Sequence, residues 1–149
     1  MRVLCLCLGN ICRSPTAEAV LRAHAARAGL AWQIDSAGTG NWHIGQPPDA
    51  RMQVAARAQG FDLSGQRARQ LAASDFDGFD LILAMDASNL ADAQRLAPVG
   101  SRARLVRFLD EAGIGGDVPD PYYEGNFDAV VTLVDRAAAA IIDRLARAP

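Results

Sequence analysis

Short apolar runs alternate along this chain with segments whose apolar residues recur every three or four positions. Four runs have the length and composition of strands: residues 2–7, Trp32–Ala37, Asp80–Ala84 and Arg104–Val106. Two segments between them have helical periodicity, residues 15–28 and 49–59, and glycines that can end a helix follow at Gly29 and Gly60.

The most regular helical pattern lies near the C-terminal end. Its apolar residues recur at spacings of three and four: Phe127, Val130, Val131, Val134, Ala138, Ile141, Ile142 and Leu145. Two segments rich in glycine and proline, Gly38–Pro48 and 110–126, predict loops. Strands that alternate with helices favour an α/β fold, here an open parallel sheet of about four strands with helices on both faces.

Composition narrows the class of protein. The length of 149 residues is typical of one domain, so we expect a single domain over residues 1–149. The net charge of −2 gives no overall attraction to nucleic acid, and no apolar run is long enough for a membrane span. The apolar run at residues 3–8 is too short for a signal peptide, so we expect a cytoplasmic protein with reduced cysteines.

The segment after the first predicted strand carries the most specific chemistry. Residues 7–15 read CLGNICRSP, so a loop that contains glycine joins a buried strand to a helix. Backbone N–H groups at such a turn form an anion-binding nest, and the helix adds partial positive charge. We expect Ser14 to cap that helix and Pro15 to be its first residue.

A thiol begins this loop and a guanidinium ends it. Arg13 offers planar donors that match two phosphate oxygens at once. Cys7 lies in the same positive field, so its thiol should ionise readily and act as a nucleophile toward phosphorus. The loop therefore predicts phosphate chemistry at Cys7.

Other readings of the loop fail at specific residues. A Walker-type nucleotide loop needs a lysine, and this chain has none. Cys7 and Cys12 are five apart, which excludes a Cys-x-x-Cys redox motif. The three cysteines and two histidines do not have zinc-ligand spacing, so we expect neither a metal nor another cofactor.

The chain resembles the low-molecular-weight protein tyrosine phosphatases, which have a flavodoxin-like fold. The resemblance begins with CLGNICRSP at residues 7–15 and continues in order over nearly the whole length. The other segments that carry it are Trp42, Ser64–Gln70, Phe79–Asp86 and Asp120–Tyr123. It implies a protein-tyrosine phosphatase, a phosphoric monoester hydrolase that uses a cysteine nucleophile.

The resemblance also implies roles for individual residues. Cys7 becomes a phosphocysteine, Arg13 binds the phosphoryl oxygens, and Asp120 is the general acid and later the general base. The aromatic slot for the substrate is lined by Trp42, Tyr122 and Tyr123. The residues assigned to phosphate binding or loop support are Leu8, Gly9, Asn10, Ile11, Cys12 and Ser14.

Within that set, Ser14 donates a hydrogen bond to the Cys7 thiolate, and Cys12 can form a reversible disulfide with Cys7. One position departs from the family pattern. Gln66 stands where the family commonly has histidine, and because an amide also donates a hydrogen bond, we expect Gln66 to support Asn10.

Several residues are expected to do no chemistry. Asp86 should support the site structurally, and Cys5 should be a buried, inert thiol on the same face of the strand as Cys7. We expect His43 to be a solvated loop residue and His24 to face solvent from its helix.

Three other functions remain open. Arsenate reductases share this type of loop but use further cysteines downstream, and none follows Cys12. Arginine phosphatases typically carry threonine where this chain has Ile11. A non-catalytic phosphopeptide-binding module would have no need to keep Cys7, Arg13 and Asp120 together.

The expected partners follow from the resemblance. They are proteins that bear phosphotyrosine, a tyrosine kinase being one candidate, with neither nucleic acid nor a membrane as a partner. We expect a monomer or a weak dimer.

Overall fold

Four parallel strands form the central sheet of the computed structural model, which describes residues 1–147. The strands are β1 (Arg2–Cys7), β2 (Gln33–Gly38), β3 (Leu81–Ala84) and β4 (Arg104–Arg107). Their spatial order is β2-β1-β3-β4, and every neighbouring pair is parallel. The predicted α/β fold is therefore confirmed, with strand bounds that differ from the predictions by one residue at most. Because all strands run the same way, their carboxyl ends share one edge of the sheet.

The helices within residues 1–147 are α1 (Arg13–Arg27), α2 (Ala50–Ala58), α3 (Asp75–Gly78), α4 (Ala87–Leu96), α5 (Phe108–Glu111), α6 (Pro121–Glu124) and α7 (Phe127–Arg147). Helices α1 to α4 lie between successive strands of the chain, and α5 to α7 follow the last strand. The predicted helices at 15–28, 49–59 and the C-terminal end correspond to α1, α2 and α7.

Alternation along β1 explains why helices cover both faces of the sheet. Val3, Cys5 and Cys7 belong to one buried cluster, with α1, α2 and α7. Leu4 and Leu6 belong to a second cluster on the opposite face, with residues of α3 and α4. Side chains two apart on a strand share a face, so Cys5 lies beneath Cys7, and it is fully buried as predicted.

The predicted start of α1 is wrong. Cys12 stands at the cap position, and Ser14 is already inside the first turn, without a capping hydrogen bond of its own. The carbonyl of Cys12 accepts from the Thr16 hydroxyl at 2.8 Å, which fixes the turn two residues earlier. Pro15 is tolerated there because the first four N–H groups of a helix need no intrahelical acceptor.

Several other features differ from the sequence predictions. The helices α3 and α4 were not predicted, and the segment 110–126 contains the end of α5 and all of α6 rather than one long loop. His24 does not face solvent, since its Nε2 lies 2.6 Å from Asp135 Oδ1 on α7. Within residues 1–147, no helix is both long enough and apolar enough to cross a membrane.

Candidate active site

A pocket of about 350 Å³ opens where the loop after β1 meets the loops that follow β2 and β4. The loop after β1 and the first residue of α1 contribute Cys7, Leu8, Gly9, Ile11, Cys12 and Arg13. The remaining lining residues are Trp42, His43, Asp120, Tyr122 and Tyr123. The carboxyl edge of a parallel α/β sheet, where this pocket lies, is where such folds bind ligands.

The Cys7 sulfur lies at the base of this pocket and is almost completely buried. The backbone N–H of Asn10 donates to Sγ at 3.3 Å, and the Ser14 hydroxyl oxygen lies 3.0 Å from it. Two polar hydrogens are thus placed to stabilise negative charge on one sulfur, which favours a thiolate nucleophile.

Asn10 fixes the shape of the loop. It has a φ of 57°, in the left-handed region that asparagine tolerates better than most residues. Its amide nitrogen donates to the hydroxyls of Ser14 at 2.8 Å and Ser36 at 3.0 Å, and its Oδ1 accepts from the backbone N–H of Arg69 at 3.0 Å. Because the Ser14 oxygen accepts from Asn10, the Ser14 proton is available to Cys7 Sγ at 3.0 Å, which is nearer than the other acceptor, the Ala37 carbonyl at 3.4 Å.

The Gln66 amide does not donate to Asn10, so the expected hydrogen-bond support of Asn10 by Gln66 is wrong. Its amide nitrogen donates to the carbonyl of Pro15 at 2.9 Å. Its Oε1 lies 3.5 Å from the Ser36 hydroxyl. That hydroxyl also lies 2.7 Å from a carboxylate oxygen of Glu18, to which it donates. Gln66 therefore lies beside the Ser36 hydroxyl, to which Asn10 donates, and its own hydrogen bond goes to Pro15.

Arg13 is buried and held rigidly at the end of the loop. Its Nη1 donates to Asp86 Oδ2 at 2.6 Å and to the carbonyl of Val118 at 3.1 Å. Burial alone would lower the pKa of this guanidinium, but the negative charge of Cys7 and the hydrogen bond to Asp86 raise it overall. The fork is thus pre-oriented, fully charged and close to the sulfur.

Asp86 and Asp120 each combine contact with Arg13 and a helix cap. Asp86 Oδ1 accepts from the N–H of Asn89 at 2.7 Å at the start of α4. Asp120 Oδ1 accepts from the N–H of Tyr122 at the start of α6, while its Oδ2 lies 3.5 Å from Arg13 Nη2. The Asp120 side chain remains 42% exposed at the pocket, so a water or a leaving group can reach it.

Aromatic side chains form the outer walls of the pocket. Trp42 is 67% exposed and Tyr123 is 91% exposed, whereas Tyr122 is half-buried. His43, which the sequence analysis treated as solvated, also lines the pocket and lies 6.4 Å from the Tyr122 ring. Its place next to Trp42 in the chain was the signal in the sequence for a position at the pocket.

The three cysteines are free thiols in the structure. Burial is the main cause that raises the pKa of Cys5 and of Cys12 well above the ordinary value. Cys12 lines the same pocket as Cys7. Within residues 1–147 no group of three or more histidine, cysteine or acidic side chains could hold a metal ion.

Comparison with known proteins gives consistent matches over nearly the whole length. The family model of low molecular weight phosphotyrosine protein phosphatase matches residues 2–148. The low molecular weight protein-tyrosine-phosphatase YfkJ of Bacillus subtilis is 48% identical over 136 residues, which cover 89% of this chain and 87% of the relative.

Solved structures agree with the fold. The crystal structure of YfkJ from Bacillus subtilis superimposes with a TM-score of 0.90 at 42% identity, covering 99% of this chain and 95% of that one. A Drosophila arginine phosphatase also superimposes with a TM-score of 0.90, at 30% identity, covering 97% of this chain and 98% of that one.

Proposed function

This chain belongs to the low molecular weight phosphotyrosine protein phosphatases, and we propose that it hydrolyses phosphotyrosine and small aryl phosphates through a phosphocysteine on Cys7. The observation that carries the proposal is the buried Cys7 sulfur, which faces a buried Arg13 at the base of a pocket with aromatic walls. Residues 1–149 form a single phosphatase domain in this proposal.

In the first step, the Cys7 thiolate attacks phosphorus in line with the phenolic oxygen. A P–S bond forms and the P–O bond to the phenol breaks. Arg13 and the loop amides bind the three equatorial oxygens, so charge is stabilised where it develops. Asp120, protonated when substrate binds, gives its proton to the leaving oxygen, a contribution that is typically worth about 10²–10⁴-fold in rate.

In the second step, Asp120 returns as a carboxylate and takes a proton from a water at the exposed side of the pocket. That water attacks phosphorus and the P–S bond breaks. The thiolate that leaves is stabilised by the Ser14 hydroxyl and the Asn10 N–H, which lie 3.0 Å and 3.3 Å from Sγ. Inorganic phosphate is released, and the enzyme returns to its starting state.

The walls of the pocket favour an aryl ester over other phosphoryl compounds. Ile11, Trp42 and Tyr122 give the slot an apolar lining that suits a phenyl ring. Protein arginine phosphatase remains the main alternative because one structural relative carries that name. Rates on matched phosphotyrosine and phosphoarginine peptides decide between them, and we expect a clear preference for phosphotyrosine.

Mutations at two positions test the mechanism. Cys7→Ser should abolish turnover of p-nitrophenyl phosphate yet still bind inorganic phosphate, since the nest and Arg13 remain. Cys5→Ala is the matched control, a buried thiol two residues earlier, and should keep wild-type kcat. Wild-type turnover by Cys7→Ser would remove Cys7 from its proposed role.

Asp120→Ala tests proton donation separately. It should slow phosphotyrosine far more than p-nitrophenyl phosphate, because nitrophenolate leaves without help from an acid. Equal losses on the two substrates would argue against a role in protonating the leaving group.

The location, the partners and the oligomeric state of the enzyme are also part of this proposal. The enzyme acts in the cytoplasm on phosphotyrosine proteins, a tyrosine kinase among the candidates, and works as a monomer or weak dimer. In this proposal Tyr123 contacts the substrate, and Cys7 and Cys12 form a reversible disulfide on oxidation. Peroxide treatment followed by disulfide mapping tests the disulfide.

A further inference from the structure

Tyr122 forms one wall of the slot, and its ring contacts a side chain that does not line the pocket. Arg51, in the first turn of α2, has its guanidinium carbon 5.4 Å from the centre of the Tyr122 ring. The same carbon lies 4.7 Å from the ring of Phe127, the first residue of α7. Both distances are within the range of cation–π attraction, so one cation joins the slot wall to two helices.

Asp49 orients that guanidinium. Its carboxylate accepts from Arg51 Nε at 3.1 Å and from Nη2 at 2.8 Å, a two-point contact that fixes the plane of the fork. The hydrogen bond from the Arg51 side chain is the largest cause of a lowered pKa at Asp49. Asp49 also caps α2 by accepting from the backbone N–H of Arg51 at 2.8 Å.

The same pair touches the phosphate loop. The backbone N–H of Asp49 donates to the carbonyl of Ile11 at 2.9 Å, and Ile11 lines the pocket. The Asp49–Arg51 pair thus connects the loop that binds phosphate with the wall that receives the aryl group.

Arg51 adds to the packing that positions Tyr122, which is partly buried against the core cluster that contains Cys7. Tyr122 lies in a helix of four residues that ends at Gly125, whose φ is 76°. Within residues 1–147 its ring is approached by Arg51, by His43 at 6.4 Å and by Tyr123 at 4.9 Å. Tyr123 is itself 91% exposed and gives weak support, whereas the guanidinium of Arg51 is oriented by a two-point contact with Asp49.

We propose that Arg51, oriented by Asp49, is a positioning residue that holds Tyr122 in place and so sets the affinity for the aryl part of the ligand. The phosphoryl site is built by the loop after β1 and by Arg13, and its hydrogen bond to the Asp49 N–H is a backbone contact that a change of the Arg51 side chain leaves in place. The inference rests on the proposed function in that the slot receives an aryl phosphate.

The test compares two ligands that are not turned over, benzylphosphonate and inorganic phosphate, by isothermal titration calorimetry. Arg51→Gln removes the charge and the planar fork and leaves a shorter, neutral polar side chain. It should weaken benzylphosphonate about two- to fivefold, the equivalent of one exposed cation–π contact, and leave the Kd of phosphate unchanged. Arg51→Lys should fall between wild type and Arg51→Gln, because an ammonium keeps the cation but cannot form the planar fork.

Two further variants serve as controls. Arg57→Gln removes an exposed charge from the last turn of the same helix and should bind both ligands like wild type. Asp49→Asn keeps a good cap for α2 but weakens the fork, so it should reproduce part of the loss for benzylphosphonate only.

Equal weakening of both ligands in Arg51→Gln, or no change in either, would overturn the inference. So would the same loss in Arg57→Gln. Because binding alone decides these outcomes, a failure of the wild-type protein to hydrolyse aryl phosphates would count against the proposed function and leave the binding comparison valid.

Discussion

Substitution of Asn10 should destabilise the protein measurably, because this residue contributes both side-chain hydrogen bonds and a left-handed backbone conformation to the loop. Asn10→Ala removes the donor to Ser14 and Ser36 and leaves the Arg69 N–H without its acceptor. Three buried hydrogen bonds at about 1 kcal/mol each predict a loss of about 3 kcal/mol of unfolding free energy. Alanine at a φ of 57° adds about 1 kcal/mol more.

Asn10→Gly separates the two contributions. Glycine loses the same hydrogen bonds but adopts the left-handed conformation without strain, although its unfolded chain is more flexible. We therefore expect Asn10→Gly to be the less destabilised variant, by several tenths of a kcal/mol. Both variants should lose kcat, because Ser14 then lacks the donor that orients its proton toward Cys7.

Urea unfolding followed by far-UV circular dichroism measures these changes, with kcat on p-nitrophenyl phosphate measured on the same samples. A loss below about 1 kcal/mol in both variants would refute the reasoning, because it would mean that the three hydrogen bonds are not formed in solution. An unchanged kcat would separately refute the link from Asn10 to the sulfur.

Three further predictions concern the surroundings of the site. A methyl group at Gly40 would overlap the Trp42 ring, which is exposed and free to swing away, so Gly40→Ala should raise KM for aryl phosphates and leave the urea midpoint nearly unchanged. Burial raises the pKa of Glu18, so its proton stabilises the fold at low pH. That contribution to the free energy of unfolding is lost as the pH rises from about 4.3, the value in an unfolded chain, through the higher native pKa. Glu18→Gln should therefore make the free energy of unfolding depend less on pH across that range. Asp86→Asn keeps a helix cap but weakens a charged contact with buried Arg13, so kcat/KM should fall about 10- to 100-fold, and an unchanged value would show that Arg13 needs no orienting partner.

The sheet could be predicted from the sequence because each strand is a short, buried apolar run. The last helix could be predicted because α7 repeats apolar residues every three or four positions over most of its length. α4 was missed because its buried side consists largely of small or polar residues, Asn89 and Ala93 among them, so no apolar stripe marks it. The signal in the sequence that could have indicated α4 was Asp86, a residue type that caps helices, placed shortly after a strand.

The site was predictable as a set of residues and less so as a set of contacts. The order of residues 7–15 indicated the loop, but the role of Ser14 as a cap was wrong because its hydroxyl is engaged by Asn10 and faces Cys7. Asn10 donates to Ser36, a residue on the neighbouring strand that the sheet register brings there, whereas Gln66 donates to Pro15. Such long-range contacts leave no pattern in a single sequence.

The central claim is that the sulfur of Cys7 takes the phosphoryl group. Rapid acid quench of the enzyme during turnover of an aryl phosphate, followed by peptide mass spectrometry, measures this directly. We expect one added phosphoryl group on the peptide that contains Cys7. It should be absent in Cys7→Ser and retained in Cys5→Ala. A phosphoryl group on any other residue would contradict the role of Cys7. So would an active enzyme in which no phosphorylated form is found, either at steady state or in single-turnover experiments.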